Sequence, residues 1–374
     1  MIDLEFSEQQ QLLQHTARNF FAAQCPIAKV RSLETSDLGY SDELWKSMAK
    51  LDWVGLSYPT ELGGAAGSIL DLYVLYAEMG RCLAPTPHLA SSVIAGETIL
   101  RGGSEAQRGR LIPEMSRGDL IVAPALTESD GAYGADAVQL VAQADGENGY
   151  RLEGAKILVP YAHVAGQLLV AARTGSGPDG VTLFLIEPGA KGVDVEKLGN
   201  IANYPLFAVT FDGVAVSRDA IVGPVGAGWA TLEPVLDRAS VLQCAEIVGA
   251  GEAVLDIAVN YAQQREQFGQ PVGKFQAVQY LCSDIAIDLH LTSLLARQAA
   301  WRLDAGLPHA REVALAKAQA SESAQHMVRQ AHEVQAGHGF MMETDLQLYT
   351  RRAKHWEFNL GDVHHHLDAA VAAL

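Results

Sequence analysis

Four stretches of this chain combine residue types that can hold an anionic or planar ligand. Leu126-Thr127-Glu128 follows a strand-like segment and opens a loop of small residues from Ser129 to Asp136. Such loops expose backbone amides that cradle a phosphate or a flat cofactor; an ordinary surface loop fits the same residues. The run from Arg265 to Gln276 sets an arginine beside Phe268 in a turn punctuated by Gly269, Pro271 and Gly273. An arginine next to an exposed aromatic suits a diphosphate and a stacked ring, and a solvated inter-helix loop is the alternative. In Val334–Phe340 the glycines permit close backbone approach to a ligand or end a helix. Finally, Asp362 precedes three adjacent histidines, His364 to His366. Metal binding on a helix wants ligands one turn apart, so these histidines read as a polar chain end, with no metal.

The elements that must position these residues change character along the chain. Up to about residue 120 the apolar residues recur at helical spacing, as in Phe6, Leu12, Leu13, Ala17 and Phe20, with Ser7 as N-cap three residues before Gln10. Further helical segments are expected around 44–51, 70–79, 89–100 and 107–115. Short runs rich in Val, Leu and Phe follow, at 138–142, 167–172, 181–186 and 208–211, separated by turn signals. Strands at this spacing suggest a small barrel or sandwich. From Gly226 the period is helical again, with Val278, Leu281, Cys282, Ile285 and Leu289 on one face. The expected fold class is α+β: an N-terminal α-helical domain over 1–120, a barrel-like middle β domain over 121–222, and a C-terminal four-helix bundle over 226–374.

Composition narrows the function classes. The 374 residues are 49% hydrophobic, enough for a large core. A net charge of -17 repels nucleic acid and anionic membranes as partners. Four separated cysteines include no CxxC pair, as expected for reduced thiols in a cytoplasmic protein. The opening segment lacks a basic start before an apolar run, so no secretory signal is expected. No stretch reaches the roughly 18 apolar residues of a membrane span.

Six motifs in order make the chain resemble the acyl-CoA dehydrogenases over its whole length: LTE at 126–128, G-x-K at 154–156, DGV at 212–214, RxQFGxPxGxFQ at 265–276, GxGF at 337–340 and RRAK at 351–354. The resemblance implies FAD bound at a subunit interface and an acyl-CoA substrate oxidised to its 2,3-enoyl form. A carboxylate takes the α-proton while hydride leaves the β-carbon. It implies that Leu126 and Thr127 face the isoalloxazine. Arg265, Phe268 and Gln276 would contact the adenosine diphosphate half of a neighbouring subunit's FAD, and Arg238, at a helix start, would lie near the CoA and acyl pocket. An electron-transfer flavoprotein is the implied acceptor.

The departures from that pattern are specific. The family's usual base is a Glu followed by Gly-Thr; counting on from Arg351-Arg352-Ala353-Lys354, this chain has Leu360 there. The second known location of the base falls on Ala239. Neither side chain accepts a proton. The flavin loop is two residues longer than the family's, with Ala135 for its Ser, and Leu158-Val159-Pro160 replaces Trp-Ile-Thr. Glu333 and Ala336 replace the Gln and first Gly of QxxGGxGF. This pattern is similar to the small divergent subunits of α2β2 enzymes of the steroid side-chain and pimeloyl-CoA type, in which a homologous partner supplies the glutamate. Two alternatives stand beside it. One is a self-sufficient enzyme, a homotetramer, with Asp362 as base. The other is a non-enzymatic acyl-CoA-binding scaffold. For Asp362 itself, capping the last helix is the competing role.

Overall fold

The computed structural model describes residues 5–146 and 149–374. The first four residues of the opening segment lie outside the described residues. The helices α1 (Glu8–Gln24), α2 (Ile27–Leu33), α3 (Asp42–Ala49), α4 (Ile69–Arg81), α5 (Glu97–Gly102) and α6 (Glu105–Ser116) come first. Eight strands follow: β1 (Val122–Ala125), β2 (Val141–Ala144), β3 (Gly149–Pro160), β4 (Gln167–Arg173), β5 (Val181–Ile186), β6 (Val193–Leu198), β7 (Leu206–Ser217) and β8 (Ile221–Val222). The chain then forms α7 (Gly228–Gln264), a short hairpin of β9 (Glu266–Gln267) and β10 (Gln270–Pro271), and α8 (Gln276–Asp304), α9 (Ala310–Gln335), α10 (Leu346–Phe358) and α11 (Val363–Ala372). The α+β class expected from the periodicities is the observed one: helices, a middle sheet, helices. No helix among the described residues is long and apolar enough to cross a membrane.

The fold divides into two compact units. One comprises 33–67 and 85–239 and contains the sheet. Its strands form one mixed sheet in the order β6-β7-β3-β2-β4-β5-β8, with β1 paired parallel to β4. The core is aliphatic and aromatic, including Leu152, Val170, Phe184, Val209 and Phe211. Strand β2 begins at Val141, three residues later than the expected run. The reason is chemical: the amides of Gln139 and Leu140 are taken by Glu128 Oε1 at 2.8 and 2.9 Å instead of by a neighbouring strand. The expected helix over 89–100 also divides. Leu89–Gly96 is π-helical, and α5 continues it. Tyr58 donates its hydroxyl to the Ser92 carbonyl at 2.7 Å, drawing that carbonyl out of the regular ladder.

The other unit comprises 1–32, 68–84 and 240–374. The Ser7–Gln10 capping box opens α1 as the sequence suggests, with Gln10 N donating to Ser7 Oγ at 3.2 Å. Helices α4 and α7 touch through their backbones. A Cβ at Gly80 would lie 1.9 Å from the Glu246 carbonyl oxygen, and one at Gly249 1.7 Å from that of Ala77, so glycine is required at both. Helix α9 packs against α8, α10 and α11, with alanine the commonest residue in its buried stripe. Lys317 interrupts that stripe. Its ammonium is fully buried and donates to Ser321 Oγ (2.7 Å), the Trp356 carbonyl (3.1 Å) and the Gly361 carbonyl (3.1 Å). It thereby ties the end of α10 and the turn before α11 to α9.

Candidate functional site

In the sheet unit, Leu126 and Thr127 follow β1 directly. Their backbone is fixed from β3. Lys156 Nζ donates to the Leu126 carbonyl at 3.1 Å and to Glu128 Oε1 at 2.6 Å, and Ile157 N donates to the Thr127 carbonyl at 2.9 Å. The Thr127 hydroxyl makes no protein hydrogen bond among the described residues and is partly exposed. Downstream, Gly131 and Gly134 have φ of +67° and +94°, with open space where a Cβ would stand. A free hydroxyl donor on a rigid turn, beside a loop with no obstructing side chains at its glycines, matches the chemistry of a planar, hydrogen-bond-accepting ligand.

Arg238 is also in this unit, and its surroundings argue against a free ligand-binding role. Its Nε donates to Glu97 Oε2 at 2.5 Å and its Nη2 to Oε1 at 3.3 Å, while Ser57 Oγ donates to the same carboxylate at 2.8 Å. Glu97 is 6% exposed, so the arginine neutralises a buried carboxylate. It does not start a helix either: α7 begins upstream at Gly228. Ala239, the next residue, is fully buried.

In the helical unit, Arg265 lies just after α7 and Gln276 opens α8, with the β9–β10 hairpin between them. The Arg265 side chain is exposed and engages no carboxylate among the described residues. Phe268 sits at the hairpin tip, 93% exposed, with a left-handed φ of +55°. Its ring meets Phe275 edge-on at 6.0 Å. Gln276 Nε2 donates to the Tyr280 hydroxyl at 2.6 Å. An unpaired guanidinium and a bare aromatic on one hairpin are the donor set for a diphosphate carrying a ring.

The stretch 336–340 is a 3-10 turn after α9. Tyr261 stacks on His338, with ring centroids 5.4 Å apart, and His332 stacks on Phe340 at 4.4 Å. Ala336 holds φ +49° and ψ -138°, a conformation that glycine adopts far more readily. Glu333 points to an exposed position on α9.

The turn before α11 carries the remaining candidates. Leu360 has φ +64° and Gly361 φ +106°. A Cβ on Gly361 would come within 2.6 Å of both His365 and His366. His366 Nε2 donates to the Leu360 carbonyl at 2.9 Å; burial pushes this imidazole's pKa down to about 4, so it is neutral. Asp362 is the N-cap of α11, accepting His365 N at 2.8 Å. The structure thus gives Asp362 its capping role and leaves Leu360 without a neighbouring carboxylate on the same turn except that cap.

Comparison with known proteins decides the family. Family models for the acyl-CoA dehydrogenase N-terminal, middle and C-terminal domains match residues 7–119, 123–214 and 226–370. The human mitochondrial short-chain specific acyl-CoA dehydrogenase is 30% identical over 361 residues, 94% of this chain and 86% of that protein. The chain belongs to the acyl-CoA dehydrogenase family. Among solved structures, the ChsE4-ChsE5 complex from Mycobacterium tuberculosis is 27% identical with a TM-score of 0.90, covering 99% of this chain and 98% of that one. PigA with FAD and proline is 25% identical with a TM-score of 0.92, covering 99% and 98%. This acyl-CoA dehydrogenase is FAD-dependent, and the two donor sets described above fit that cofactor. Bound FAD supplies the hydride acceptor for acyl-CoA oxidation. Thr127, Arg265 and Phe268 are the residues that would hold its rings and phosphates.

Sequence reasoning missed the Glu97–Arg238 pair, the buried ammonium of Lys317, and the burial and Glu128 pairing of Lys156, which it noted only as the lysine of the G-x-K motif. A signal existed for Lys317, a lone charge between Ala316 and Ala318 on an alanine stripe. None existed for Glu97, whose partner is 141 residues away.

Proposed function

We propose that this chain is the base-deficient subunit of a heteromeric acyl-CoA dehydrogenase. It binds FAD jointly with a homologous partner in an α2β2 assembly, and the partner's carboxylate takes the α-proton of the acyl-CoA. The observation that carries this reading is Leu360, a hydrocarbon at the position of the usual glutamate. Three others support it. Ala239 is apolar and buried, Asp362 is engaged as a helix cap, and Arg238 is engaged by Glu97. Arg265 is exposed and engages no carboxylate among the described residues, and Phe268, though its ring edge meets Phe275, is 93% exposed, which suits a site completed on a neighbouring subunit. Electrons then pass to an electron-transfer flavoprotein.

The test is flavin stoichiometry. Purified alone, the chain is expected to carry far less than one FAD per polypeptide. Co-expressed with a homologous subunit encoded beside it, it should co-purify with flavin and oxidise a saturated acyl-CoA. A lone chain with a full complement of flavin and full dehydrogenase activity would refute the proposal.

A further inference from the structure

We propose that Lys156 is a positioning residue for the flavin, a buried cation that sets the shape of the Leu126–Glu128 turn against which the isoalloxazine lies; this rests on the reading that Leu126 and Thr127 face that ring. Its side chain is 0% exposed on β3, next to the irregular pairing of β3 with β7 between Lys156 and Val159. Three neighbouring residues of the turn are fixed around it. The carbonyl of Leu126 accepts its ammonium, the carbonyl of Thr127 accepts Ile157 N, and the carboxylate of Glu128 accepts its ammonium at 2.6 Å. The same Glu128 oxygen gathers the amides of Gln139 and Leu140, so the two ends of the loop 129–138 are pinned to one atom. Both turn carbonyls point inward at donors, and the free Thr127 hydroxyl is one donor that the turn leaves available toward a ligand.

Stability does not explain a charge at this place. Burial disfavours the ammonium and lowers its pKa, with Glu128 opposing that shift. An apolar pair of similar volume is often as stable as a buried ion pair, or more so. What the ion pair adds is geometry: the ammonium directs two hydrogen bonds into the turn, whereas a methyl group directs none. A turn that must present one hydroxyl to a rigid ring gains from such fixing, because a site left loose by about 1 Å loses function while the fold persists.

The experiment uses the co-expressed complex, stripped of flavin and titrated with FAD. The variants are Lys156→Met and the charge-balanced Lys156→Met/Glu128→Gln, which leaves no unpaired buried carboxylate if the single variant fails to fold. The double variant is expected to melt within a few degrees of the parent. Its FAD affinity at this chain's site should fall at least tenfold, and the bound flavin should show a less resolved 450 nm absorption band and a shifted two-electron potential. A folded double variant with parental affinity, band shape and potential would show Lys156 to be structural only and overturn the proposal alone. A parent complex in which no flavin site requires this chain would overturn both the underlying reading and the proposal.

Discussion

The carboxylate of Asp362 accepts the backbone amide of His365 at 2.8 Å, and this bond closes the first turn of α11. Asparagine caps a helix about as well as aspartate, whereas alanine forfeits about 1 kcal/mol. Asp362→Asn is therefore expected to leave the denaturant midpoint, and substrate-driven flavin reduction in the complex, close to the parent's. Asp362→Ala should lower stability by about 1 kcal/mol with the same flavin reduction per folded complex. A normally folded Asp362→Asn complex that no longer reduces its flavin would identify this carboxylate as the base.

Arg238 and Glu97 make the second prediction. Removing one member of a buried ion pair strands the other, at about 3 kcal/mol. Arg238→Ala should lose on that order by chemical denaturation, and Arg238→Ala/Glu97→Gln should regain most of it. An arginine serving chiefly as a ligand contact would give a near-neutral stability change in the single variant.

Ala336 carries a local strain that glycine relieves. At φ +49° and ψ -138° an L-residue is strained by about 1–3 kcal/mol, partly offset by the greater freedom of glycine in the unfolded chain. Ala336→Gly is expected to raise stability by about 1 kcal/mol, read as a higher urea midpoint with an unchanged slope. A lowered midpoint would show that this turn is not strained.

Two buried imidazoles contribute to the acid response. His88 lies against the Trp53 carbonyl at 2.9 Å and His366 against that of Leu360, and burial pushes each pKa from 6.5 down to about 4. Below about pH 6.5 the unfolded chain takes up protons that the folded chain refuses. Their contribution is thus full above pH 6.5 and is lost as the pH falls towards 4. Each is worth on the order of 3 kcal/mol over that window. Unfolding midpoints at pH 7 and pH 4.5 should differ by clearly less in His88→Asn than in the parent. An equal pH dependence in the two proteins would show that His88 titrates normally.

Periodicity revealed several helices and about half of the sheet's strands because burial imposes it directly: α4, α6 and β5 lie where the apolar spacing puts them, whereas β3 and β6 were not among the expected runs. Elements shaped by one side chain were illegible. The late start of β2 follows from Glu128 capturing two amides, and the π-helical turns accompany the Tyr58 hydroxyl. Among the candidate residues, Arg265 and Phe268 stood out by type and spacing, and for Asp362 the cap seen in the fold was one of the two roles open to it. The engagement of Arg238 was not, because Glu97 approaches it only in the folded chain.

The most direct measurement is anaerobic flavin reduction by a saturated acyl-CoA in three preparations: the lone chain reconstituted with FAD, the co-expressed complex, and that complex with the partner's candidate carboxylate changed to its amide. Bleaching is expected in the complex alone. Bleaching by the lone chain, or by the complex carrying the neutralised partner, would contradict a base-deficient subunit.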